Sequence, residues 1–226
     1  MKKHIPNFLT CLNLVFGTLG CISMANGELD LGIMYVAISA LFDFFDGFAA
    51  RMLNVKSEIG KQLDSLADMV SFGVLPAIFM VNYIFQLQPQ WEQLPYVGLL
   101  IAPFSAIRLA IFNLDDSQSY SFKGLPTPAN AIMITSLPYL TFEINPIVAA
   151  VIAVLASFLL VSKIEIIALK FKSFGLKQNF FKYLILVASV IWLSVFGING
   201  LPYIIPSYVV ISILSNIFSV KENTMG

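Results

Sequence analysis

Four aspartates within an apolar stretch are the residues of this sequence best suited to chemistry. Asp43 and Asp46 are three residues apart, and Asp64 and Asp68 are four apart. On a helix, each spacing places both side chains of a pair on one face. An uncompensated carboxylate in an apolar helix is costly and normally marks a functional site. We therefore take these four carboxylates as the candidate chemical centre.

Small residues and a polar connector accompany the four carboxylates. On the helical period, Gly47 and Ala50 share the face of Asp43, and Gly60 lies in line with the second pair. Small side chains allow a ligand or a neighbouring helix to approach closely. The hydrophilic connector 51–61 reverses the chain between the two helices. We therefore expect all four acids to meet at one end of a helical hairpin, residues 43–68, which we call the acidic hairpin.

Four carboxylates held together in a low dielectric need cations or protons to neutralise them. Ligands that are all oxygen favour hard ions such as Mg²⁺, Mn²⁺ or Ca²⁺ over zinc. Two other interpretations stay open: aspartates that are merely solvated at helix ends, and the ion pathway of a metal-ion transporter. A transporter predicts acids scattered over several spans and depths, whereas these four occupy one hairpin.

The composition identifies the elements that must position these acids. Of 226 residues, 58% are hydrophobic and 12% charged, against about 25% charged in a typical soluble domain. A membrane-spanning helix needs roughly 20 apolar residues. The sequence therefore predicts an all-α, polytopic integral membrane helical bundle of about eight transmembrane helices in a single domain, 1–226. The predicted spans are 6–26, 31–53, 66–87, 94–113, 127–142, 146–168, 180–197 and 201–219.

The charges are sorted by position along these spans. The 13 basic and 13 acidic residues cancel, so no overall charge attracts nucleic acid. The odd-numbered loops contain Glu28, Asp30, Glu92 and Glu143 and no Lys or Arg. Because basic residues accumulate on the cytoplasmic side, we expect both termini and the acidic hairpin to face the cytoplasm. The basic residues lie at the termini and even-numbered loops: Lys2, Lys3, Arg51, Lys56, Lys61, Arg108, Lys123, Lys163, Lys170, Lys172, Lys177, Lys182 and Lys221.

The first apolar run has an alternative interpretation as a secretory signal peptide, because Lys2 and Lys3 precede it. Three polar residues, Asn7, Thr10 and Asn13, interrupt that run at three-residue spacing on one helical face. The core of a signal peptide has no need of them. The first run is therefore predicted to be a permanent helix.

The acidic hairpin carries a longer pattern than the aspartates alone. It reads Asp43-Phe-Phe-Asp46-Gly47-Phe-Ala-Ala50-Arg51, then eight residues, then Gly60-Lys-Gln-Leu-Asp64-Ser-Leu-Ala-Asp68. At every fixed position this resembles the signature of the CDP-alcohol phosphotransferase family. The resemblance implies a membrane-embedded helical core over 1–170, with 171–226 adding two C-terminal transmembrane helices. It also implies a homodimer in the cytoplasmic (inner) membrane, with a site that faces the cytoplasm.

Other segments are similar to the phosphatidylserine synthase subgroup of that family: Ile5-Pro6-Asn7-Phe8-Leu9-Thr10, Arg108-Leu-Ala-Ile111-Phe112-Asn113 and Phe122-Lys123-Gly124-Leu125-Pro126-Thr127-Pro128. This similarity implies transfer of the phosphatidyl group of CDP-diacylglycerol to the hydroxyl of L-serine, with release of CMP. The subgroup commonly has a second Arg where this chain has Ile111. Glycerol phosphate or inositol phosphate as acceptor, or an archaeal-type lipid as donor, therefore stays open.

The resemblance also assigns roles to the residues of the acidic hairpin. It implies that Asp43, Asp46 and Asp64 ligate two divalent ions, Mg²⁺ or Mn²⁺, and that Asp68 is shared between a metal and the role of general base. Gly47 and Ala50, with Gly60, would let the nucleotide and its diphosphate lie against the helices. Arg51 would contact phosphate or anchor the chain at the membrane face.

Two polar groups outside the hairpin complete the expected site. Asn7, Thr10 and Asn13 suit a cytidine or ribose, or else hydrogen bonds between helices. Arg108 and Lys123 are candidates for binding the serine carboxylate, Arg because its fork matches a carboxylate bidentately. Their alternative role is interfacial anchoring by positive charge. The acyl chains of the donor would extend sideways between apolar helices into membrane lipids.

Overall fold

The computed structural model of the protein describes residues 4–55, 57–115, 121–169, 175–176 and 178–224. The side chains of 121 and 219–224 are outside this description. Several basic residues that orient the chain in the sequence prediction therefore lie outside the described residues: Lys2, Lys3, Lys56, Lys170, Lys172, Lys177 and the side chain of Lys221.

Within the described residues the chain is almost entirely helical. The α-helices are α1 (Ile5–Ala25), α2 (Leu29–Met52), α3 (Glu58–Asp68), α4 (Leu75–Leu87), α5 (Ile101–Leu114), α6 (Thr127–Thr135), α7 (Pro146–Leu160), α8 (Phe180–Phe196) and α9 (Leu201–Thr224). A π-helical turn, Met69–Val74, joins α3 to α4, and 3-10 turns cover Leu94–Leu100, Leu137–Tyr139 and Gly197–Gly200. Two short strands, β1 (Ser121–Lys123) and β2 (Glu165–Ile167), pair antiparallel.

Local sequence explains where several helices begin. The Ser57 hydroxyl accepts a hydrogen bond from the Gly60 N–H at 3.2 Å and starts α3. The Asn145 side chain does the same for Val148 at 2.9 Å and starts α7. Both are favourable N-cap residues because they satisfy a free helical N–H. The π-helical turn ends just before Pro76, which has no N–H to donate.

The helical lengths confirm a multi-pass membrane protein. Among the described residues, five stretches are long and apolar enough to cross a membrane: Ile5–Ala25, Leu29–Met52, Glu58–Leu87, Leu94–Leu114 and Phe180–Phe218. The apolar helix Pro146–Leu160 is shorter. Large apolar side chains such as Leu155, Phe158 and Val190 are about 60% exposed, as expected where lipid is the solvent. Eight crossings and cytoplasmic termini stay predictions.

The predicted span 146–168 is wrong in its last third. Helix α7 ends at Leu160, and Glu165–Ile167 form β2 instead. Ile166 is fully buried while Glu165 is exposed, and this alternation is the period of a strand. Two other predicted boundaries also differ from those of the structure. The third helix begins at Glu58 rather than 66, and the predicted span 127–142 contains the nine-residue helix α6 followed by a 3-10 turn.

Two apolar clusters hold the bundle together. The larger is built mainly from side chains of α1, α2, the π-helical turn, α4, α5, α6 and α7 and includes Met24, Phe72 and Phe79. The smaller surrounds the strands and contains Leu125, Ile166, Ile185, Tyr208 and Ile211. Helices α8 and α9 are therefore packed against the small sheet rather than against the acidic hairpin.

Candidate active site

Three of the four aspartates converge at one end of the bundle. Asp43 lies on α2, and Asp64 and Asp68 lie on the next helix, α3. One carboxylate oxygen from each can be chosen so that the three atoms lie within 4.8 Å of one another. Asp68 is buried and the other two are half-buried. The i, i+4 spacing on α3 thus produces the close pair that the helix period predicts.

Asp46 is held separately by the first helix. The Thr10 hydroxyl donates to Asp46 Oδ2 at 2.6 Å, and both side chains are buried. Asp46 does not belong to the group of three convergent carboxylates. Predicted residue Thr10 therefore reaches the acidic hairpin through a direct hydrogen bond to one of its acids.

Asn13 lies beside Asp68. Its side-chain Nδ2 donates to Asp68 Oδ1 at 3.2 Å. The Asn13 carbonyl accepts hydrogen bonds from the hydroxyls of Ser39 at 3.2 Å and Ser71 at 3.1 Å, so α1 is tied to α2 and to the π-helical turn at this point. A Cβ on Gly17 would lie 2.0 Å from Ser71 Oγ, which means that the close approach of α1 requires glycine there.

A first pocket of about 330 Å³ opens between α1 and the acidic hairpin. Five of the residues predicted to bind the nucleotide line it: Asn7, Thr10, Gly47, Ala50 and Gly60. The Asn7 side-chain oxygen lies 3.0 Å from the position that a Cβ on Gly60 would take. A larger residue at 60 would therefore push against Asn7 and narrow the pocket.

A second pocket of about 340 Å³ lies on the other side of the acidic hairpin. Its lining joins the hairpin to α5 and to the segment after β1: Asp43, Asp46, Gly47, Arg51, Asp64, Asp68, Arg108, Phe122 and Thr127 are among its residues. Asp46, Gly47 and Asp64 line both pockets. These shared residues thus form a partition between the two pockets.

Arg108 brings a buried positive charge to the second pocket. It is 4% exposed, and its Nε has no hydrogen-bond partner within the described part of the protein. Its guanidinium carbon lies 5.1 Å from the centre of the Phe112 ring, a cation–π contact. A buried donor without a partner is energetically costly. The arrangement therefore suits an anionic ligand that would satisfy it.

Lys123 occupies a different environment from Arg108. It lies on β1, its side chain is 51% exposed, and its Nζ lies 3.1 Å from Asp115 Oδ2. The described lining of the second pocket contains its neighbour Phe122 but not Lys123. The structure therefore brings Arg108 and the acids together and leaves Lys123 outside the described lining.

Three side chains near the site belong to the quoted sequence motifs but were given no role there by sequence reasoning. Lys61 Nζ donates to the Asn113 carbonyl at 2.8 Å, and Asn113 Nδ2 donates to Ser65 Oγ at 2.8 Å. These contacts fasten α3 to the end of α5 and so fix the acids relative to Arg108. The available signal was position, since Ser65 follows a motif aspartate directly and Lys61 follows a motif glycine.

The donor set of the acidic hairpin fits a divalent cation. Asp43, Asp64 and Asp68 offer carboxylate oxygens close enough to share an ion, and no His or Cys contributes to this described group. All-oxygen ligands of this kind suit Mg²⁺, Mn²⁺ or Ca²⁺. Three carboxylates at this separation repel one another until cations or protons neutralise them.

Comparison with known proteins identifies the family. The profile of CDP-alcohol phosphatidyltransferases matches residues 3–195. The chain is 36% identical over 167 residues to the CDP-diacylglycerol--serine O-phosphatidyltransferase of Bacillus subtilis, which covers 72% of this chain and 89% of that protein. It is 33% identical over 168 residues to the archaetidylserine synthase of Methanothermobacter thermautotrophicus, covering 71% of this chain and 68% of that protein.

A third relative matches a shorter part of the chain. The CDP-diacylglycerol--serine O-phosphatidyltransferase of Helicobacter pylori strain J99 is 35% identical over 134 residues, which is 57% of this chain and 54% of that protein. The profile match includes the whole acidic hairpin and both pockets. The chain belongs to the CDP-alcohol phosphatidyltransferase family.

Proposed function

We propose that this CDP-alcohol phosphotransferase transfers the phosphatidyl group of CDP-diacylglycerol to the hydroxyl of L-serine, releasing CMP. The observation that supports this most is the second pocket, where buried Arg108 and the acids line one cavity. An amino acid acceptor needs a cation for its carboxylate beside a base for its hydroxyl. The names of the relatives from B. subtilis and M. thermautotrophicus also agree on serine.

The donor nucleotide is assigned to the first pocket. Asn7 and Thr10 present amide and hydroxyl groups there, and Gly47, Ala50 and Gly60 keep the surface small. Arg51 Nη1 lies 3.5 Å from the position of a Cβ on Gly47, where it would meet a phosphate on the partition between the pockets. Asn13, which bonds Asp68, acts on the carboxylate rather than directly on the nucleotide.

Asp43, Asp46, Asp64 and Asp68 are proposed to hold two divalent ions, Mg²⁺ or Mn²⁺. Such ions, when bound, neutralise the charge of the diphosphate and of the phosphate that leaves. The protein supplies the carboxylates, fixes α3 through Lys61 and Ser65, and orients Asp46 through Thr10. The positions of the four acids on a single hairpin explain why one motif carries the whole set.

Asp68 is proposed as the general base. It lies in the second pocket, and Asn13 donates to one of its oxygens, which orients the carboxylate. As the serine oxygen forms its bond to phosphorus, Asp68 accepts the hydroxyl proton. The bond between that phosphorus and the CMP oxygen breaks, and CMP takes the electron pair. Arg108 would hold the serine carboxylate, with Lys123 outside the described lining attracting it.

The site is proposed to face the cytoplasm, with the protein in the cytoplasmic (inner) membrane. The end of α2, the beginning of α3 and the end of α5 all lie at the same end of the bundle as the acids. That end carries the exposed cations Arg51 and Lys61, which supports a cytoplasmic orientation by the positive-inside rule. Both termini inside and a homodimer are part of the same proposal.

The function is tested by CMP release from purified full-length protein. We expect release from CDP-diacylglycerol with Mg²⁺ or Mn²⁺ and L-serine, and little with glycerol phosphate, inositol phosphate or inositol. Release with another alcohol alone would refute serine as acceptor. A CDP-activated archaeal-type ether lipid is the second donor to test, since the M. thermautotrophicus relative is an archaetidylserine synthase. Stronger release from it would reassign the donor.

Replacing Arg108 with Ala should weaken serine binding far more than donor binding. We expect the KM for L-serine to rise roughly 10- to 100-fold, as for loss of a charge-assisted hydrogen bond of about 1.5–3 kcal/mol, with the KM for CDP-diacylglycerol unchanged. Arg108→Lys keeps the charge and loses the forked guanidinium, so its KM for L-serine should lie between those of the wild type and Arg108→Ala. The matched control is Lys163→Ala, which removes an exposed cation on the loop before β2. Equal effects of Arg108→Ala on both KM values would contradict the assignment of Arg108 to the serine carboxylate.

A further inference from the structure

Helix α9 presents a row of polar side chains to the small sheet. Tyr208, Ser212 and Asn216 are spaced four residues apart and therefore share one face of the helix. Tyr208 is 8% exposed and Ser212 is fully buried. A polar stripe inside an apolar bundle needs partners, and the backbone of β2 supplies them.

The three side chains form hydrogen bonds with peptide groups on the edge of β2 that faces away from β1. The Tyr208 hydroxyl donates to the Ile167 carbonyl at 2.6 Å, and the Ile167 N–H donates to Ser212 Oγ at 3.3 Å. Asn216 Nδ2 donates to the Glu165 carbonyl at 2.8 Å. Alternate residues of a strand direct their peptide groups to the same side, so α9 occupies the edge of β2 opposite β1.

Strand β2 in turn holds a wall of the second pocket. It pairs with β1 so that Ile166 lies opposite Phe122, and Phe122 lines the second pocket. Two residues after Phe122, Gly124 donates its N–H to the Ile164 carbonyl at 2.9 Å. Its φ of 77° suits glycine, and a Cβ there would lie 2.2 Å from the Leu160 carbonyl oxygen. The chain then continues to Pro126, Thr127 and Pro128, which also line the pocket.

The first pocket has no such connection within the described residues. Its lining comes from α1, α2, α3 and the connector between α2 and α3. A change in the contact between α9 and β2 should therefore reach one pocket and leave the other intact.

We propose that Tyr208 is a positioning residue for the acceptor, acting through β2 and β1 on the Phe122–Thr127 wall of the second pocket. The inference rests on the assignment of that pocket to L-serine. It gives the last helix a function in the reaction, because α9 sets the shape of the acceptor pocket without touching substrate.

The test compares two tyrosine variants of the full-length protein in lipid. Tyr208→Phe removes the hydroxyl and keeps the ring in its apolar cluster. Tyr203→Phe is the matched control, because it makes the same change on α9 where the hydroxyl contacts Thr141 Oγ1 at 3.3 Å instead. We expect Tyr208→Phe to raise the KM for L-serine roughly three- to tenfold, with the free energy of one lost hydrogen bond as the upper limit because Tyr208 acts indirectly, and to leave the KM for CDP-diacylglycerol unchanged. Ser212→Ala should act in the same direction.

Each outcome separates this inference from the proposed function. Absence of serine-dependent CMP release by the wild-type protein would refute the proposed function itself. With an active wild type, equal serine KM values for Tyr208→Phe and Tyr203→Phe would overturn the inference alone. A loss of donor binding in Tyr208→Phe, or an equal rise in both KM values, would also overturn it, because it would show a general effect on folding.

Discussion

The variant Asp68→Asn is expected to lose phosphatidyl transfer while the protein still folds. An amide has nearly the volume of the carboxyl group but can neither accept the serine proton nor hold a divalent ion with a negative charge, and the contribution of a positioned base by itself is roughly 10²- to 10⁴-fold. The Asn13 side chain donates to Asp68 Oδ1, and the oxygen of an asparagine can still accept that hydrogen bond. The measurement is the serine-dependent rate of CMP release at saturating substrate.

The control for Asp68→Asn is the same chemical change at Asp30. Asp30 is exposed in the first turn of α2, at the opposite end of that helix from the acidic hairpin. Asp30→Asn should retain wild-type turnover. Wild-type turnover in Asp68→Asn would remove Asp68 from the role of base. Binding of CDP-diacylglycerol and of Mn²⁺ by Asp68→Asn, measured separately, distinguishes a missing base from a lost ion ligand and from a collapsed site.

The spacing of the aspartates correctly predicted the convergence of Asp43, Asp64 and Asp68, because it depends on helix geometry, but not the separate position of Asp46 beside Thr10. Asp64 and Asp68 are one turn apart on α3, and the short connector after α2 leaves little freedom in how Asp43 faces them. The observed group of three within 4.8 Å follows directly. Composition predicted an all-α membrane bundle, and the long apolar helices confirm a helical membrane protein, although β1 and β2 add a short strand pair.

The contacts of α1 could not be predicted from the sequence. Asn7, Thr10 and Asn13 share a helical face, but their partners depend on how α1 crosses the hairpin. The crossing places Thr10 on Asp46, Asn13 on Asp68 and Asn7 beside Gly60. One polar stripe is thus divided between two functions, orienting carboxylates and lining the first pocket.

The strand pair was missed because the sequence pattern of a mostly apolar segment does not distinguish a strand from a continuing helix. Residues 161–168 continue the hydrophobicity of α7, and length alone suggested one long helix. The alternation of Glu165 and Ile166 was the available signal. The partner strand lies over forty residues earlier, and pairing across such a distance depends on tertiary structure rather than on local preference. The wall of the second pocket next to β1 therefore became visible only in the structure, whereas sequence reasoning had already assigned the acids, Arg51 and Arg108 to the site.

Removal of divalent ions is expected to abolish CMP release completely, and Mg²⁺ or Mn²⁺ should restore it. The diphosphate of the donor and the carboxylates of the partition carry negative charges that repel one another without cations between them. A chelator series followed by titration with each metal measures this. Full turnover in metal-free conditions would reject the proposed ion site, and restoration by neither ion would reject their identity.

Variants of the hairpin locate the ions independently of turnover. Asp43→Asn and Asp64→Asn each remove a charged ligand from the group of three convergent carboxylates, so both should weaken binding of Mn²⁺ measured by electron paramagnetic resonance. The expected loss is about 10-fold or more, since removal of even an outer partner of a metal ligand costs about 10- to 100-fold in affinity. Asp30→Asn again serves as the control and should bind Mn²⁺ like the wild type. Because this measurement needs neither donor nor acceptor, wild-type Mn²⁺ affinity in both hairpin variants would contradict the ion site even if the enzyme proved specific for serine.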